Sequence, residues 1–455
     1  MTSTAVLALA LRLLFPIFQY APADPVGITI VNSSSDPREF RLVITSADGV
    51  EIKSQTALIP PKEERHYSIN QLAGAPGNLP IGWVRVESPT ADFSAYMTSG
   101  TPSSVGATEP LSHGASNLLL PNVRIHKGFR ELGETETVVA LVNPGSDPVT
   151  STFTLTAFDG SVRGTTQVTV PAAGSRMVRL STAIPPVGFN IDFDGYASIR
   201  SSGPVAAWQE IETPLARTTL AAVDPSTFHR QTQLTSPFFA IGGGYESTVT
   251  LTNTALTAVT VELFARDEGG RPIGETARLT LQAGETKAAD VATILRVATI
   301  AIYPGPIIRG TLRVRQPEKQ LMQLLASLTI QVFDAQHAPQ SLMQYWIREE
   351  PGQFWEIPFV TRNESYYTAY AIANTVATPG TTTQVLVTVH SVDGRIINLI
   401  NHSLEPQGFT AQLVTAAEPG SYIRILSDEP VVVLGAFGTK DGMSAEAIQS
   451  QRLPK

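Results

Sequence analysis

Apolar and polar residues alternate along most of the chain in short runs, broken at intervals by Gly, Pro, Asn or Asp. Phe40, Leu42 and Ile44 share one parity, as do Val261, Leu263 and Ala265, and Val385, Val387 and Val389. Their neighbours Arg41, Thr45, Glu262, Arg266, Thr388 and His390 take the other parity. A period of two puts alternate side chains on opposite faces of a strand, so these runs predict half-buried β-strands.

The runs recur in a fixed order. Four segments open with a Pro between apolar residues, at Pro16, Pro121, Pro237 and Pro358. Each is followed by a strand ending in Asn, at Asn32, Asn143, Asn253 and Asn374, with spacings of 111, 110 and 121 residues. A second strand then reaches a glycine turn, at Asp48-Gly49, Asp159-Gly160, Gly269-Gly270 and Asp393-Gly394. Asp-Gly between alternating strands is a strong hairpin signal, because the turn needs positive φ. A longer strand closes at Pro60, Pro171, Gln282 or Pro406, and a Gly then opens another at Gly82, Gly195, Gly310 or Gly420. The last turn carries Pro89, Pro204, Pro317 or Pro430.

About seven short strands in roughly 105–120 residues is the pattern of an immunoglobulin-like sandwich. The predicted fold is all-β: four tandem immunoglobulin-like β-sandwich domains, at 13–117, 118–232, 233–352 and 353–455. The segments 98–117, 212–232 and 335–353 read as connections, and Leu325 to Arg348 has room for an extra hairpin. Stacked end to end, rigid sandwiches predict a rod.

The arrangement resembles the immunoglobulin-like repeats of secreted proteins from soil bacteria such as acidobacteria. Ile30-Val31-Asn32, Leu141-Val142-Asn143-Pro144 and the stretch from Phe264 to Gly270 carry the resemblance. It spans nearly the whole chain but rests on structural turns, so it implies an architecture and a secreted setting and brings no catalytic residues.

Composition narrows the reading. Only 16% of residues are charged, and Thr, Ser, Gly and Pro take up the difference, a β-protein bias. The net charge of −8 has no Lys/Arg block, which speaks against nucleic acid as a partner. The absence of cysteine removes disulfides, thiolate metal sites and Cys nucleophiles. Residues 1–12 read as the remnant of an export signal around the run Ala5 to Leu11, with a plain first strand as the competing reading. Neither that run nor any other is long enough for a membrane-spanning helix.

Candidate chemistry is sparse. His66, His113, His126, His229, His337, His390 and His402 show no metal-ligand spacing and read as solvated surface residues. Asp192 and Asp194 alternate before a glycine and form a weak calcium candidate. Gly242-Gly243-Gly244 joins strands and reads as a loop. No cofactor is expected. The repeated Asn shares the buried parity and should cap the turn that follows it. Trp83 with Arg85, and Tyr422 with Arg424, share an outward face as cation–π partners, with Tyr196 and Arg200 similarly placed. A second aromatic cluster holds Tyr345, Trp346, Phe354, Trp355, Tyr366 and Tyr367. The candidate binding surface is therefore Trp83, Arg85, Trp346, Trp355, Tyr367, Tyr422 and Arg424. These features predict a non-enzymatic secreted or cell-surface protein of structural or adhesive role, whose partners are surface proteins or polysaccharide. A carbohydrate-binding module array and a secreted glycoside-active enzyme accessory or hydrolase are the alternatives.

Overall fold

A computed structural model describes residues 11–17, 26–74, 82–101, 104–128, 134–185, 191–214, 216–227, 232–299, 305–317, 321–336, 339–347, 351–360, 365–418, 420–439, 445–448 and 450–452. The run at 5–10, His229 and His337 lie outside these residues. The chain is all-β and its strands fall into four successive two-layer groups.

The first group comprises β1 (Leu11–Ile17), β2 (Val26–Asn32), β3 (Arg38–Ser46), β4 (Glu51–Ile59), β5 (Glu64–Ser68), β6 (Gly82–Ser88), β7 (Phe93–Thr101) and β8 (Ser104–Thr108). Its sheets run β1-β6-β3-β4 and β5-β2-β7-β8. Strand β1 takes in Leu11 and Arg12, which the sequence placed in an export-signal remnant; both pair antiparallel with β6.

The second group holds β9 (Ala115–Lys127), β10 (Glu136–Val142), β11 (Val149–Ala157), β12 (Val162–Val170), β13 (Ser175–Arg179), β14 (Ile191–Glu212) and β15 (Arg217–Ala221). The third holds β16 (Gln233–Ile241), β17 (Tyr245–Asn253), β18 (Val259–Arg266), β19 (Pro272–Leu281), β20 (Thr286–Asp290), β21 (Ile308–Arg315), β22 (Leu324–Phe333) and β23 (Pro339–Trp346). The fourth holds β24 (Gly352–Val360), β25 (Tyr366–Asn374), β26 (Thr383–His390), β27 (Ile396–Leu404), β28 (Phe409–Leu413), β29 (Ser421–Thr439), β30 (Ala445–Ile448) and β31 (Gln451–Arg452).

Two turns expected from the sequence are absent. Pro204 and Pro430 lie inside the long strands β14 and β29. The first part of β14 pairs with β9 and β11, and its last part with β10 and β15. Strand β29 crosses in the same way from β26 to β25. A proline at the crossing point costs no ladder bond, because neither sheet claims its missing N–H there.

Each group buries an apolar cluster, with Phe40, Phe153, Leu263 and Val387 among its members; the third group's extends to Ala371, Leu434 and Ala447 of the fourth, and the fourth's to Tyr96 and Ala107 of the first. Each fully buried aliphatic side chain contributes about 1.5–3 kcal/mol. The repeated asparagines sit at 0% exposure and cap as the pattern requires. Asn32 Oδ1 accepts from the Ser34 N–H at 3.0 Å, and Asn143, Asn253 and Asn374 accept from Gly145, Ala255 and Val376 at 2.9, 3.0 and 2.9 Å. Each Nδ2 donates across the sandwich to a carbonyl of the later turn, at Pro60, Pro171, Gln282 or Glu405, each 2.9 Å away.

The groups do not form a rod. They close on themselves. The segments read as connections contain β8, β15 and β23; with β30, these strands pack one against the next around a common centre. The Thr, Ser and Gly content of β8 and β15 looks like linker, but their burial comes from other groups, which local alternation cannot register; β23 forms with β22 the extra hairpin for which Leu325 to Arg348 has room. The outer face of the first sheet in each group lies on the second sheet of the next, and the fourth lies on the first. Leu14 and Trp83 thus pack on Ala140, Val142 and Trp208, and Leu119 packs with Leu325 and Trp346. Strand β16 meets β25, and β24 meets β7. The hairpin glycines enforce this closure. Gly49, Gly270 and Gly394 have positive φ, and a Cβ on them would lie 2.1, 2.1 and 2.6 Å from carbonyl oxygens of Ala172, Pro406 and Lys62 in the next group. Gly160 has positive φ but open space around it. Between the second and third groups, Asn122 bonds Thr329 and Gln209 bonds Gln344, beside the apolar contact of Leu119.

Candidate functional site

The aromatic–arginine pairs point out of their own sandwiches, as their parity requires, but the neighbouring group covers them. Trp83 is 0% exposed and donates from Nε1 to the Ala173 carbonyl at 2.8 Å. The Arg85 guanidinium lies 5.6 Å from its ring centroid and pairs with Glu87 at 2.8 Å. Tyr422 is equally buried; its hydroxyl donates to the Lys62 carbonyl at 2.6 Å, and Arg424 sits 5.1 Å from its ring. His390, expected in solvent, stacks on Tyr422 with centroids 4.9 Å apart. At the third group the equivalent residue is Arg313, fully buried, donating to the carbonyls of Asn374 and Gln407 at 2.7 and 3.0 Å.

The second aromatic cluster is dispersed. Trp346 is buried and donates to the Ala221 carbonyl at 2.7 Å. Trp355 bonds the Gly352 and Val431 carbonyls within its own group. The Tyr345 hydroxyl meets Ser236 at 2.7 Å. Trp83, Trp346, Trp355 and Tyr422 are therefore joints and core, and Arg85 and Arg424 their partners. None of these forms an open binding face. The alternation placed Trp83 and Tyr422 correctly on the outward side, but their cover comes from residues about 90 and 360 positions away.

Tyr367 belongs elsewhere. It is half-buried and lines a cavity of about 900 Å³ between the third and fourth groups. Alternation on β25 puts Tyr367, Ala369 and Ala371 on one face; Ala411 of β28 and Leu434 and Ala436 of β29 continue it. Phe238, Tyr245, Ile330, Phe333 and Met343 of the third group face them. The alanines leave the space that larger residues would fill. No motif marks this site in the sequence, since it is made by what the alanines lack. Burial raises the hydroxyls of Tyr367 and Tyr370 to about 12, so both remain protonated donors at neutral pH. Tyr370 meets His402 Nε2 at 2.9 Å.

Buried carboxylates mark the joints, among them Glu446 and Glu64. Glu446 of β30 accepts from the Thr218 hydroxyl at 2.8 Å and the Thr219 N–H at 2.9 Å, tying the fourth group to the second. Burial, with Glu210 nearby, raises its carboxyl well above the usual range. Glu64 of β5 is 1% exposed, and neither carboxylate oxygen has a hydrogen-bond partner among the described residues. Burial, and then the charge of Glu356, push it well above the ordinary glutamate value. The folded chain thus holds Glu64 protonated where the unfolded chain ionises, near pH 4.3. Its contribution is present at low pH and is lost as pH rises from that value toward the folded one. We expect Glu64→Gln to flatten the fall in melting temperature as pH rises above the unfolded value of about 4.3. Parallel melting profiles for the two proteins would defeat this.

Asp192 and Asp194, the weak calcium candidate, come together with His126 in a cluster whose ligand atoms lie within 4.8 Å of one another and could hold a metal ion. They lie on β14 opposite β9, and His126 bridges them: Nδ1 is 2.6 Å from Asp192 Oδ1 and Nε2 is 3.1 Å from Asp194 Oδ1. His126 is correspondingly only 12% exposed, not a free surface residue. The three donors bond one another and include a nitrogen, whereas calcium takes six to eight oxygens.

No protein-family model matches the chain, and no curated protein sequence does. Among solved structures, Thermotoga maritima 1070 aligns at 18% identity over 24% of this chain and 94% of its own, with a TM-score of 0.20. The Anabaena sensory rhodopsin transducer aligns at 22% identity over 22% and 90%, with a TM-score of 0.18. The BSP domain of a biofilm-associated protein aligns at 8% identity over 100% and 99%, with a TM-score of 0.16. Scores this low carry no argument about function.

Proposed function

We propose that the chain is a non-enzymatic, extracytoplasmic structural or adhesive protein in which tandem sandwiches close into a single rigid body. The observation that carries this reading is the contact of the fourth group with the first. There Tyr422 bonds the Lys62 carbonyl at 2.6 Å, and Tyr96 bonds the Ala447 carbonyl at 3.0 Å. A body closed in this way presents fixed surfaces without needing a flexible spacer. Two further features support it. The cavity between the third and fourth groups is lined by one carboxylate, Asp334, and one guanidinium, Arg309, among the described residues, with no second carboxylate to pair for glycoside hydrolysis. The most exposed large apolar side chains among the described residues, such as Leu256, Val50 and Leu58, are aliphatic and offer no stacking platform for sugars. Among the described residues, no helix is long and apolar enough to cross a membrane.

Small-angle scattering of the full chain is expected to give a radius of gyration of about 22 Å, the value for one compact body of this length. A clearly larger radius with a rod-like profile would remove the architectural basis. Saturable retention on isolated bacterial envelopes, with no release of reducing sugar, is the functional outcome expected. Product release would make the protein an enzyme.

A further inference from the structure

The cavity between the third and fourth groups is too large to be a packing defect. Protein interiors contain few voids larger than a water molecule, whereas ligand sites span about 300–1,000 Å³. At about 900 Å³ this one lies at the upper end of that range. Its polarity is graded. Its buried wall is mostly apolar, with Ile330, Met343, Ala371 and Leu434 at 3–7% exposure, and the equally buried Ser341, Tyr370 and Thr439 add isolated polar groups. The exposed lining residues include Arg309, Gln412 and Thr415, which place polar groups at the mouth. Over the alkyl part of this wall a sugar would leave hydroxyls unpaired, and each unpaired buried group costs about 1–3 kcal/mol. A hydrocarbon body suits the interior instead. At the mouth, Arg309 is 51% exposed and its partner, Glu268, 55% exposed at 2.7 Å. Such solvent-exposed pairs hold weakly, so an incoming anion can take the guanidinium.

We propose that this cavity binds a single-chain amphiphile of the fatty-acid class, with its hydrocarbon chain between the alanine face of the fourth group and Ile330 and Met343, and its anionic head at Arg309. The bond formed is non-covalent, and the ligand enters from solvent at the face marked by Gln412 and Thr415.

Titration calorimetry on the full chain tests this with dodecanoate below its micellar concentration. Dodecyltrimethylammonium and maltohexaose are the comparison ligands. One-to-one binding of dodecanoate with a negative heat-capacity change is expected. The cationic amphiphile should bind about tenfold more weakly and maltohexaose not at all. Ala411→Trp, at a half-buried lining position, should fill the space and lower dodecanoate affinity by at least about tenfold. If that variant does not fold, Arg309→Gln decides alone. Its side chain is exposed, so folding should be kept while the preference for the anionic head is lost. Absence of saturable heat, uptake of many molecules per chain, equal binding of both head groups, undiminished binding by folded Ala411→Trp, an unaltered head-group preference in Arg309→Gln, or binding of maltohexaose would each overturn the proposal.

Discussion

Glu356→Ala is expected to lower the unfolding free energy by about 3–5 kcal/mol, the cost of breaking a buried ion pair by removing one partner. Glu356 is 0% exposed at the contact between the fourth and first groups. One carboxylate oxygen accepts from the Arg424 Nε at 3.0 Å. The other accepts from the Ser33 hydroxyl at 2.9 Å and from the Ser94 hydroxyl. Alanine would strand a guanidinium that is only 12% exposed, with Lys62 as a second positive charge nearby. Both serines would lose their acceptor as well. Because Ser33 and Ser94 belong to the first group, the loss should fall on the closure itself. Amide exchange should accelerate in β2, β7 and β24 ahead of the second and third groups. The double variant Glu356→Leu/Arg424→Met should lose far less than the single one, since it removes both charges and keeps the volume. A denaturation midpoint unchanged by Glu356→Ala would mean that this contact does not hold the body closed.

How far this arrangement can be read from sequence depends on the range of the cause. The Asn and Gly landmarks act locally, through an Asx turn or a positive φ, and each lies where the alternation puts it. So do Phe40, Leu42 and Ile44, whose parity names the buried face correctly. The other parity reads as solvent at Thr45, Glu262 and His390, yet all three are buried. Glu262 is held by Arg278 and Arg315, and His390 lies on Tyr422. Period-two alternation reports which side of a sheet a residue takes, not what lies beyond that side. The same limit explains β8 and β15, which have linker-like composition and become central because other groups cover them, whereas β23 pairs with β22 as the extra hairpin for which Leu325 to Arg348 has room. The cavity is harder still. Ala369, Ala371, Ala411 and Ala436 are unremarkable strand residues until the third group is placed opposite them.

The asparagine cap supplies the second large effect, because it links two turns of the same sandwich through one side chain. From sequence alone, a single capping bond predicts a loss of about 1–2 kcal/mol for Asn143→Ala. The geometry raises this. Asn143 accepts from the Gly145 N–H at 2.9 Å and donates from Nδ2 to the Asp147 carbonyl at 2.8 Å and the Pro171 carbonyl at 2.9 Å. Alanine would leave one donor and two acceptors without partners beside a core in which Val142 and Val170 are 0% exposed. With about 1–3 kcal/mol for each stranded group, reduced where water can reach the turn, the expected loss is about 2–4 kcal/mol. Asn143→Asp is the sharper comparison. It keeps the bond from Gly145 but turns the Nδ2 donor into a second acceptor facing two carbonyl oxygens, so it should cost at least as much as alanine despite its shape. Chemical denaturation of both variants reads this out. An aspartate variant close to wild type would mean that the cross-turn donation to Pro171 contributes nothing and that the local turn alone explains why asparagine recurs.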